Sequence, residues 1–181
     1  MDISEKMQGL LDRHEVSECV HRHARGQDRH DIELMTSCYH PEAVDDHGRY
    51  VSSGQAYAEQ ANKVHQRFIC NQHHITTQTI EVAGDTAHAE SYFIAILRDE
   101  FGSVRLASGR YIDRLERKDG DWRISVRVVT VESALNVDGV AENDLVVYHP
   151  SKRNRQDLSY QRPLTPPRQS AQERFPTVSD I

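Results

Sequence analysis

The spacing of apolar residues changes near residue 74. Before that point, apolar side chains recur every three or four positions, which is the period of amphipathic helices. After it they alternate, as in half-buried strands, over ITTQTIEV, TAHAESYFIAIL, VRLASGRYIDRLER and DWRISVRVVTVES. The turn sequences AGD, DEFGS and KDGD separate these runs. Helices followed by an antiparallel meander predict an α+β fold, with the helices on one face of a curved sheet that ends near residue 135.

The helical part, about residues 5–70, is predicted to contain three helices. The apolar stripe of the first, over residues 3–26, consists of Ile3, Met7, Leu10, Leu11, Val16, Cys19, Val20 and Ala24. Asp31 is a suitable N-cap for a short second helix that Pro41 ends, with a stripe of Leu34, Met35, Cys38 and Tyr39. The third helix is predicted over about residues 54–69. The stretch AVDDHGRYV is a candidate strand for the edge of the sheet.

Composition and charge narrow the class of protein. The chain has 181 residues, 37% of them hydrophobic, which suits one domain of ordinary size. Its net charge is −6 and its Lys and Arg residues are dispersed, which argues against a nucleic-acid partner. No apolar run approaches the roughly 18 residues of a membrane helix, and the first residues lack the order of a secretory signal. We therefore expect a cytoplasmic protein that binds a small molecule and no membrane.

The last part of the chain differs in kind from the rest. Residues 149–181 hold five of the six prolines and almost no periodic apolar positions, so they cannot form a core of their own. We predict one domain over residues 1–148 and a Pro-rich polar arm over 149–181. The arm is either disordered or laid over a neighbouring surface, and its candidate anchors are Tyr160, Pro163 and Leu164.

The adjacent histidines His73 and His74 stand at the start of the first long strand. Successive side chains on a strand point to opposite faces, so the two rings cannot bind one metal ion from an extended backbone. His73 has the parity of Ile75 and is expected to face the interior. Ile80 and Val82 have the other parity, so a bulge or a twist is expected between Ile75 and Ile80.

Other metal-ligand patterns are weak. The three cysteines, Cys19, Cys38 and Cys70, lie far apart without a CxxC spacing and are interpreted as reduced thiols. The histidines of HRH at 21–23 stand two apart, which does not place them on one helix face. DDH at 45–47 lacks a second ligand pair. We predict no metal and no cofactor.

A buried histidine becomes an effective base when a carboxylate fixes its tautomer and stabilises its protonated form. Asp28 is the candidate partner for His73, because it lies where the first helix ends and Asp31 is available for capping. The alternative, that Asp28 is itself a cap or a solvated loop residue, is left open by the periodicity.

Four stretches carry a family resemblance: HARGQDRHD, YHPEAVDDHG, NQHHITTQTIEVAGDTA and SGRYIDRLERKDGDWRISVRVV. In their order they resemble the nuclear transport factor 2-like superfamily, and more narrowly the SnoaL-like group that includes scytalone dehydratase and hexachlorocyclohexane dehydrochlorinase. The resemblance covers roughly residues 5–135. It implies a cone-shaped α+β barrel with a pocket between helices and sheet, and a homodimer or homotrimer.

The resemblance also implies a site. The His-Asp dyad of those enzymes falls on His73 and Asp28, and a pocket arginine of the dehydrochlorinase falls on Arg127. The dehydrochlorinase has a lysine at the position of His23, and this departure speaks against halide-leaving chemistry. His23 and Tyr50 are assigned to ligand binding. Strand parity sets Arg127 opposite its apolar neighbours, so both faces of the last strand are expected to need cover, which favours an oligomer: Trp122, Ile124, Val126 and Val128.

Two functions remain in view. The first is a cofactor-independent lyase, dehydratase or isomerase that acts on a small hydrophobic ring or polyketide-like substrate. The second is a non-catalytic module that binds a small ligand or forms oligomers with the same fold. The distance between Asp28 and His73 separates them, and the sequence leaves open whether the chain is an enzyme.

Overall fold

A computed structural model describes residues 2–138 and 152–164 of the protein. This part of the chain contains three α-helices, α1 (Ile3–Arg29), α2 (Ile32–Ser37) and α3 (Gly54–His65), and a short 3-10 helix at Leu158–Tyr160. It also contains six strands: β1 (Tyr39–Asp46), β2 (Val51–Ser53), β3 (Phe68–Ala83), β4 (Thr86–Asp99), β5 (Val104–Lys118) and β6 (Asp121–Val137). None of the described helices is long and apolar enough to cross a membrane. The predicted α+β fold is confirmed, with the helices packed on one sheet.

Helix α1 begins with a capping box, in which Asp2 accepts from the backbone of the first turn and Glu5 accepts from the Asp2 N–H. Its buried face starts only at Asp12 and recurs at helical spacing: Asp12, Val16, Cys19, Val20, His23, Ala24, Gly26 and Gln27. The predicted stripe was therefore too long, because its first four members are exposed: Ile3, Met7, Leu10 and Leu11.

The second helix is shorter than predicted. It ends at Ser37, and Tyr39 already belongs to β1, so Pro41 lies in a strand. The carbonyl of Cys38 accepts a hydrogen bond from the N–H of Ile124 at 2.8 Å, which draws the chain into the sheet at this point. Cys38 and Tyr39 are buried as the stripe predicted, but from the helix C-cap and a strand.

The sheet has the order β2-β1-β6-β5-β4-β3. The meander β3 to β6 is antiparallel, as predicted, whereas β1 pairs with β6 in parallel. The candidate strand near residue 44 therefore does join the sheet, but β2 and not β1 forms the edge. Within the described residues the edge strands β2 and β3 do not pair with each other, so the cone is open.

Two bulges decide which side chains face the helices. In β3, Thr76 and Thr77 both stand opposite Tyr92, and this shift confirms the predicted irregularity between Ile75 and Ile80. In β6 the register passes from Ile124 to Val126 and skips Ser125.

The bulge at Ser125 corrects the parity predicted for the last strand. Because one extra residue inverts the alternation, Arg127 shares the inner face with Trp122 and Ile124, and all three are buried. Val128 faces outward and is partly exposed. The expectation that Arg127 lies opposite the apolar residues was wrong for this reason.

The core lies between α1 and the inner face of the sheet. Small residues on β4, namely Ala87, Ala89 and Ala95, leave room there for the larger side chains of α1 and β6. The three cysteines are free thiols, two of them buried and Cys70 half-buried.

Residues 152–164 lie against the end of α1 and the start of α2. The Tyr160 hydroxyl donates to Asp31 Oδ2 at 3.1 Å, and the Arg25 guanidinium lies 4.7 Å from the centre of the Tyr160 ring. Of the three candidate anchors only Tyr160 packs in this way, since Pro163 and Leu164 are exposed. The proposed boundary at 148/149 and residues 165–181 lie outside the described residues.

Candidate active site

A cavity of about 280 Å³ lies between α1, α3 and the inner face of the sheet. One wall is apolar and contains Phe93 stacked on Tyr111, with ring centres 4.7 Å apart, together with Leu97, Val129 and Val131. The opposite wall is polar and contains Gln27, His47, Tyr57, His65 and His73. Four larger grooves of about 530, 590, 330 and 430 Å³ lie elsewhere on the described surface, and none of them is lined by His73.

Asp28 and His73 are in direct contact at this cavity. His73 Nδ1 lies 2.6 Å from Asp28 Oδ1, and the His73 backbone N–H donates to Asp28 Oδ2 at 2.9 Å. The two side chains are 6% and 13% exposed, respectively. Since the carboxylate can only accept, Nδ1 carries the proton and Nε2 is the nitrogen left to act as a base.

Local structure places the two residues. Asp28 lies in the last turn of α1, which ends at Arg29 and is followed by the C-cap His30 in the left-handed conformation. Asp31 caps α2 by accepting from the Leu34 N–H at 3.1 Å, so Asp28 is free to turn toward β3. On β3 the bulge keeps His73 on the inner face, while His74 is exposed.

His65 stands beside the dyad. Its ring lies 5.9 Å from the His73 ring and nearly parallel to it. Burial, with a smaller effect of His73, lowers the pKa of His65 to about 3, so the ring is neutral at neutral pH. Its Nδ1 and the Oε1 of Gln27 have no hydrogen-bond partner among the described residues. Both atoms are buried, and both belong to side chains that line the cavity.

A buried polar network lies behind the cavity wall. Arg127 binds Asp113 through two parallel hydrogen bonds of 2.7 Å, and both side chains are fully buried. Burial alone would lower the pKa of Arg127, but the charge of Asp113 raises it well above its usual value. The third guanidinium nitrogen lies 2.9 Å from His23 Nδ1.

The network continues from His23 to the cavity. Burial, followed by the charge of Arg127, lowers the pKa of His23 well below its usual value, so the ring is neutral. Because Arg127 can only donate, Nδ1 accepts and Nε2–H donates to the Tyr39 hydroxyl, 2.9 Å away. Tyr39 in turn donates to Asp45 Oδ2 at 2.6 Å, and the other oxygen of Asp45 lies 2.5 Å from His47 Nδ1.

Three predicted site residues lie elsewhere than expected. Arg127 is fully buried, with its three nitrogens bound to Asp113 and His23, and does not line the cavity. Both ring nitrogens of His23 are also occupied, so neither is free for a ligand. Tyr50 is 38% exposed, and its hydroxyl contacts the Ala56 carbonyl instead of the cavity.

Sequence reasoning missed the pair Asp45 and His47. The signal is the motif DDH at 45–47, in which Asp45 lies on β1 and His47 directly follows the end of that strand. A carboxylate and an imidazole at this spacing can bind each other as well as a metal ion. Among the described residues, no group of three or more His, Cys, Asp or Glu side chains is arranged to hold a metal ion, and the absence of a metal stays a prediction.

The sequence matches one protein-family model. The family model described as a SnoaL-like domain matches residues 8–128. No curated protein matches the chain in sequence.

Solved structures supply the fold relatives. A hexachlorocyclohexane dehydrochlorinase from Novosphingobium barchaimii superposes with a TM-score of 0.68 at 18% identity, over 75% of this chain and 96% of the other. A candidate scytalone dehydratase from Novosphingobium aromaticivorans gives 0.67 at 17% identity, over 75% and 94%. At these identities the likeness concerns the fold.

Proposed function

The chain belongs to the SnoaL-like domain family, and from this premise we propose that it is a cofactor-independent lyase, dehydratase or isomerase whose base is His73. The observation that carries the proposal is the 2.6 Å contact between His73 and Asp28 at a cavity. His73 Nε2 removes a proton from a carbon next to an electron-withdrawing group. Asp28 stabilises the imidazolium that forms. A positioned base of this kind contributes typically ~10²- to 10⁴-fold to the rate, which suffices for an activated C–H bond.

In this proposal Arg127 and His23 do not contact the substrate, and they act through the residues that they bind. Arg127 binds Asp113 and fixes the tautomer of His23, and His23 orients Tyr39 through its Nε2–H. The positive charge of Arg127 also lies 4.2 Å from the centre of the Tyr111 ring, which forms part of the cavity wall. Both residues therefore hold the wall in place from behind it.

The cavity supports a small ring as substrate. Its apolar side is a flat surface made by the stacked rings of Phe93 and Tyr111, against which another ring can lie. Its polar side, which contains Gln27, Tyr57 and His73, suits hydroxyl and carbonyl groups of a ligand. A hydroaromatic or polyketide-like ring that carries hydroxyl and carbonyl groups meets both requirements.

A ligand-binding module without turnover is the second candidate. It is favoured by the same apolar wall, which could hold a hydrophobic ligand whether or not His73 acts as a base. This candidate predicts binding of ring ketones without any product.

The test uses a panel of hydroxylated ring ketones with the purified protein and three variants. His73→Ala and Asp28→Asn are expected to lower turnover by about 10²-fold or more while leaving the fold intact. An amide at position 28 can still accept a hydrogen bond from the ring but cannot stabilise its charge. The matched control is His74→Ala, the exposed neighbour, which is expected to behave as the wild type. Equal activity of all the variants would contradict the role of the dyad.

We also propose that the protein is a homodimer or homotrimer. The outer face of the sheet exposes apolar side chains on three adjacent strands: Tyr92, Ile94, Ile112 and Val128. Light scattering is expected to give a mass of two or three chains, and a mass of 20.8 kDa at micromolar concentration would contradict this. A cytoplasmic location stays a prediction.

A further inference from the structure

A second histidine-carboxylate pair lines the same cavity as His73. His47 Nδ1 lies 2.5 Å from Asp45 Oδ1, and this contact joins the same two kinds of atom as the contact of His73 Nδ1 with Asp28 Oδ1. His47 and His73 both belong to the cavity lining. One cavity therefore holds two imidazoles, each backed by its own carboxylate.

The His47 ring is held firmly but keeps one nitrogen free. It stacks on Tyr57 with ring centres 4.1 Å apart and an angle of 16°. Nδ1 is occupied by Asp45, and among residues 2–138 and 152–164 Nε2 makes no hydrogen bond. The pair is thus oriented at the cavity in the manner of an acid or a base.

The carboxylate of Asp45 is fully buried behind His47. His47 is the more exposed of the two rings, 25% against 6% for His73, so solvent can reach it to exchange a proton. The ionisable groups that face it come from α1, α3, β1 and β6: His23, Tyr57, Tyr39, Asp45 and Arg127.

We propose that His47, held by Asp45, is the general acid of this cavity and that it protonates the leaving oxygen while His73 removes the proton from carbon. The proposal rests on the proposed function of His73 and deepens it. It assigns a substrate class, namely β-hydroxy carbonyl compounds, because hydroxide is a poor leaving group and needs a proton to depart.

The bonds and protons balance in one elimination. His73 Nε2 takes the proton from the carbon next to the carbonyl, and the electron pair of that C–H bond becomes the new C=C bond. The bond between the β-carbon and its oxygen breaks, the oxygen keeps the electron pair, and the Nε2 proton of His47 converts it to water. The cycle ends with His73 protonated and His47 neutral, and exchange with solvent restores both.

The test compares two leaving groups. The purified protein is assayed with a cyclic β-hydroxy ketone and with the corresponding β-acetoxy ketone, from which acetate departs without a proton. His47→Gln is expected to lower kcat for the β-hydroxy ketone by about 10²-fold and for the β-acetoxy ketone by no more than about threefold. His73→Gln is expected to lower both, and His74→Gln neither.

The pH profile gives an independent readout. For the β-hydroxy ketone, wild-type kcat/KM is expected to rise with pH as the base loses its proton and to fall at higher pH as the acid loses its own. His47→Gln is expected to lose the fall at high pH and to keep the rise. Asp45→Asn, which keeps a hydrogen-bond acceptor for Nδ1, is expected to show the same leaving-group pattern more weakly and covers the case in which His47→Gln does not fold.

The outcomes separate this inference from the function on which it rests. If His47→Gln lowers turnover of both ketones equally, or of neither, while His73→Gln abolishes both, the general acid is overturned and the base stands. If His73→Gln leaves both reactions unchanged, or the wild type converts neither ketone, the proposed function fails and this inference falls with it.

Discussion

The two histidine-carboxylate pairs of the cavity have the same contact but different support. The pair Asp28 and His73 is self-contained, because the second oxygen of Asp28 accepts the backbone N–H of His73 itself. The second oxygen of Asp45 instead accepts from Tyr39, and through His23 it is connected to Arg127 and Asp113. A change at the first pair should therefore stay local, whereas the second pair depends on residues from four elements.

This difference follows from where each carboxylate lies. Asp28 stands at the end of a helix, near the cavity rim, where the start of β3 supplies a backbone donor. Asp45 lies on β1, paired with Arg127 of β6, and is fully buried, so a polar group there needs partners within the core. Gly54 contributes here, since a Cβ at this position would overlap the Tyr39 ring.

The largest effect on stability is expected from Asp113→Asn, which removes the charged partner of Arg127 in the network behind the second pair. Removing one partner of a fully buried ion pair leaves Arg127 uncompensated, and we expect a loss of roughly 3 to 5 kcal/mol in the free energy of unfolding. Urea unfolding of the variant measures this loss.

The matched comparison is Asp28→Asn, which replaces the same side chain in the self-contained pair. It is expected to lower the free energy of unfolding by roughly 1 kcal/mol while lowering turnover strongly. If the two variants lose the same free energy of unfolding, the claim that the two pairs differ in their support is contradicted.

A smaller effect on stability is expected from pH, through the neutral His65 beside the first pair. The folded-state pKa of His65 is about 3, below the roughly 6.5 of an unfolded chain, so the unfolded state binds the proton first. The stability that His65 contributes is fully present above pH 6.5 and is lost as the pH falls from there toward 3. Between pH 7 and pH 5 the loss is at most roughly 2 kcal/mol.

His65→Gln is therefore expected to flatten the fall in stability between pH 7 and pH 5. Urea unfolding at both pH values measures the slope, and the exposed His74→Gln serves as the control that leaves it unchanged. His23 is expected to keep part of the acid sensitivity in either variant, because burial also lowers its pKa. An unchanged slope in His65→Gln would show that His65 is charged or accessible in the folded state.

The smallest effect is expected from removing residues 150–181. The described part of this segment makes polar surface contacts, among them those of Arg153 with His30 and the His65 carbonyl, on the side of the first pair. Each contact of this kind contributes about 1 kcal/mol or less to the free energy of unfolding. We expect cooperative unfolding to persist and turnover to fall by a few-fold at most, and loss of cooperative unfolding would show that the segment belongs to the domain.

The amino-acid sequence by itself determined which part of the chain is helical and which part is extended. The change of period near residue 74 separates helices from strands, because each period is a local property of neighbouring side chains. The same local reasoning predicted Asp31 as the N-cap of α2. It also predicted His73 on the inner face of the sheet and a bulge between Ile75 and Ile80. Periodicity left open whether Asp28 is the partner of His73 or a cap, and the resemblance to the SnoaL-like group favoured the pair.

Only the tertiary structure decided the second pair and the position of Arg127. The bulge at Ser125 leaves no mark in the alternation of residues, yet it moves Arg127 from one face of the sheet to the other. The parallel pairing of β1 with β6 joins Asp45 to Arg127 across about eighty residues of chain, and no local period encodes which distant strands become neighbours. The sequence therefore specifies which residues can do chemistry, and strand register decides which of them meet.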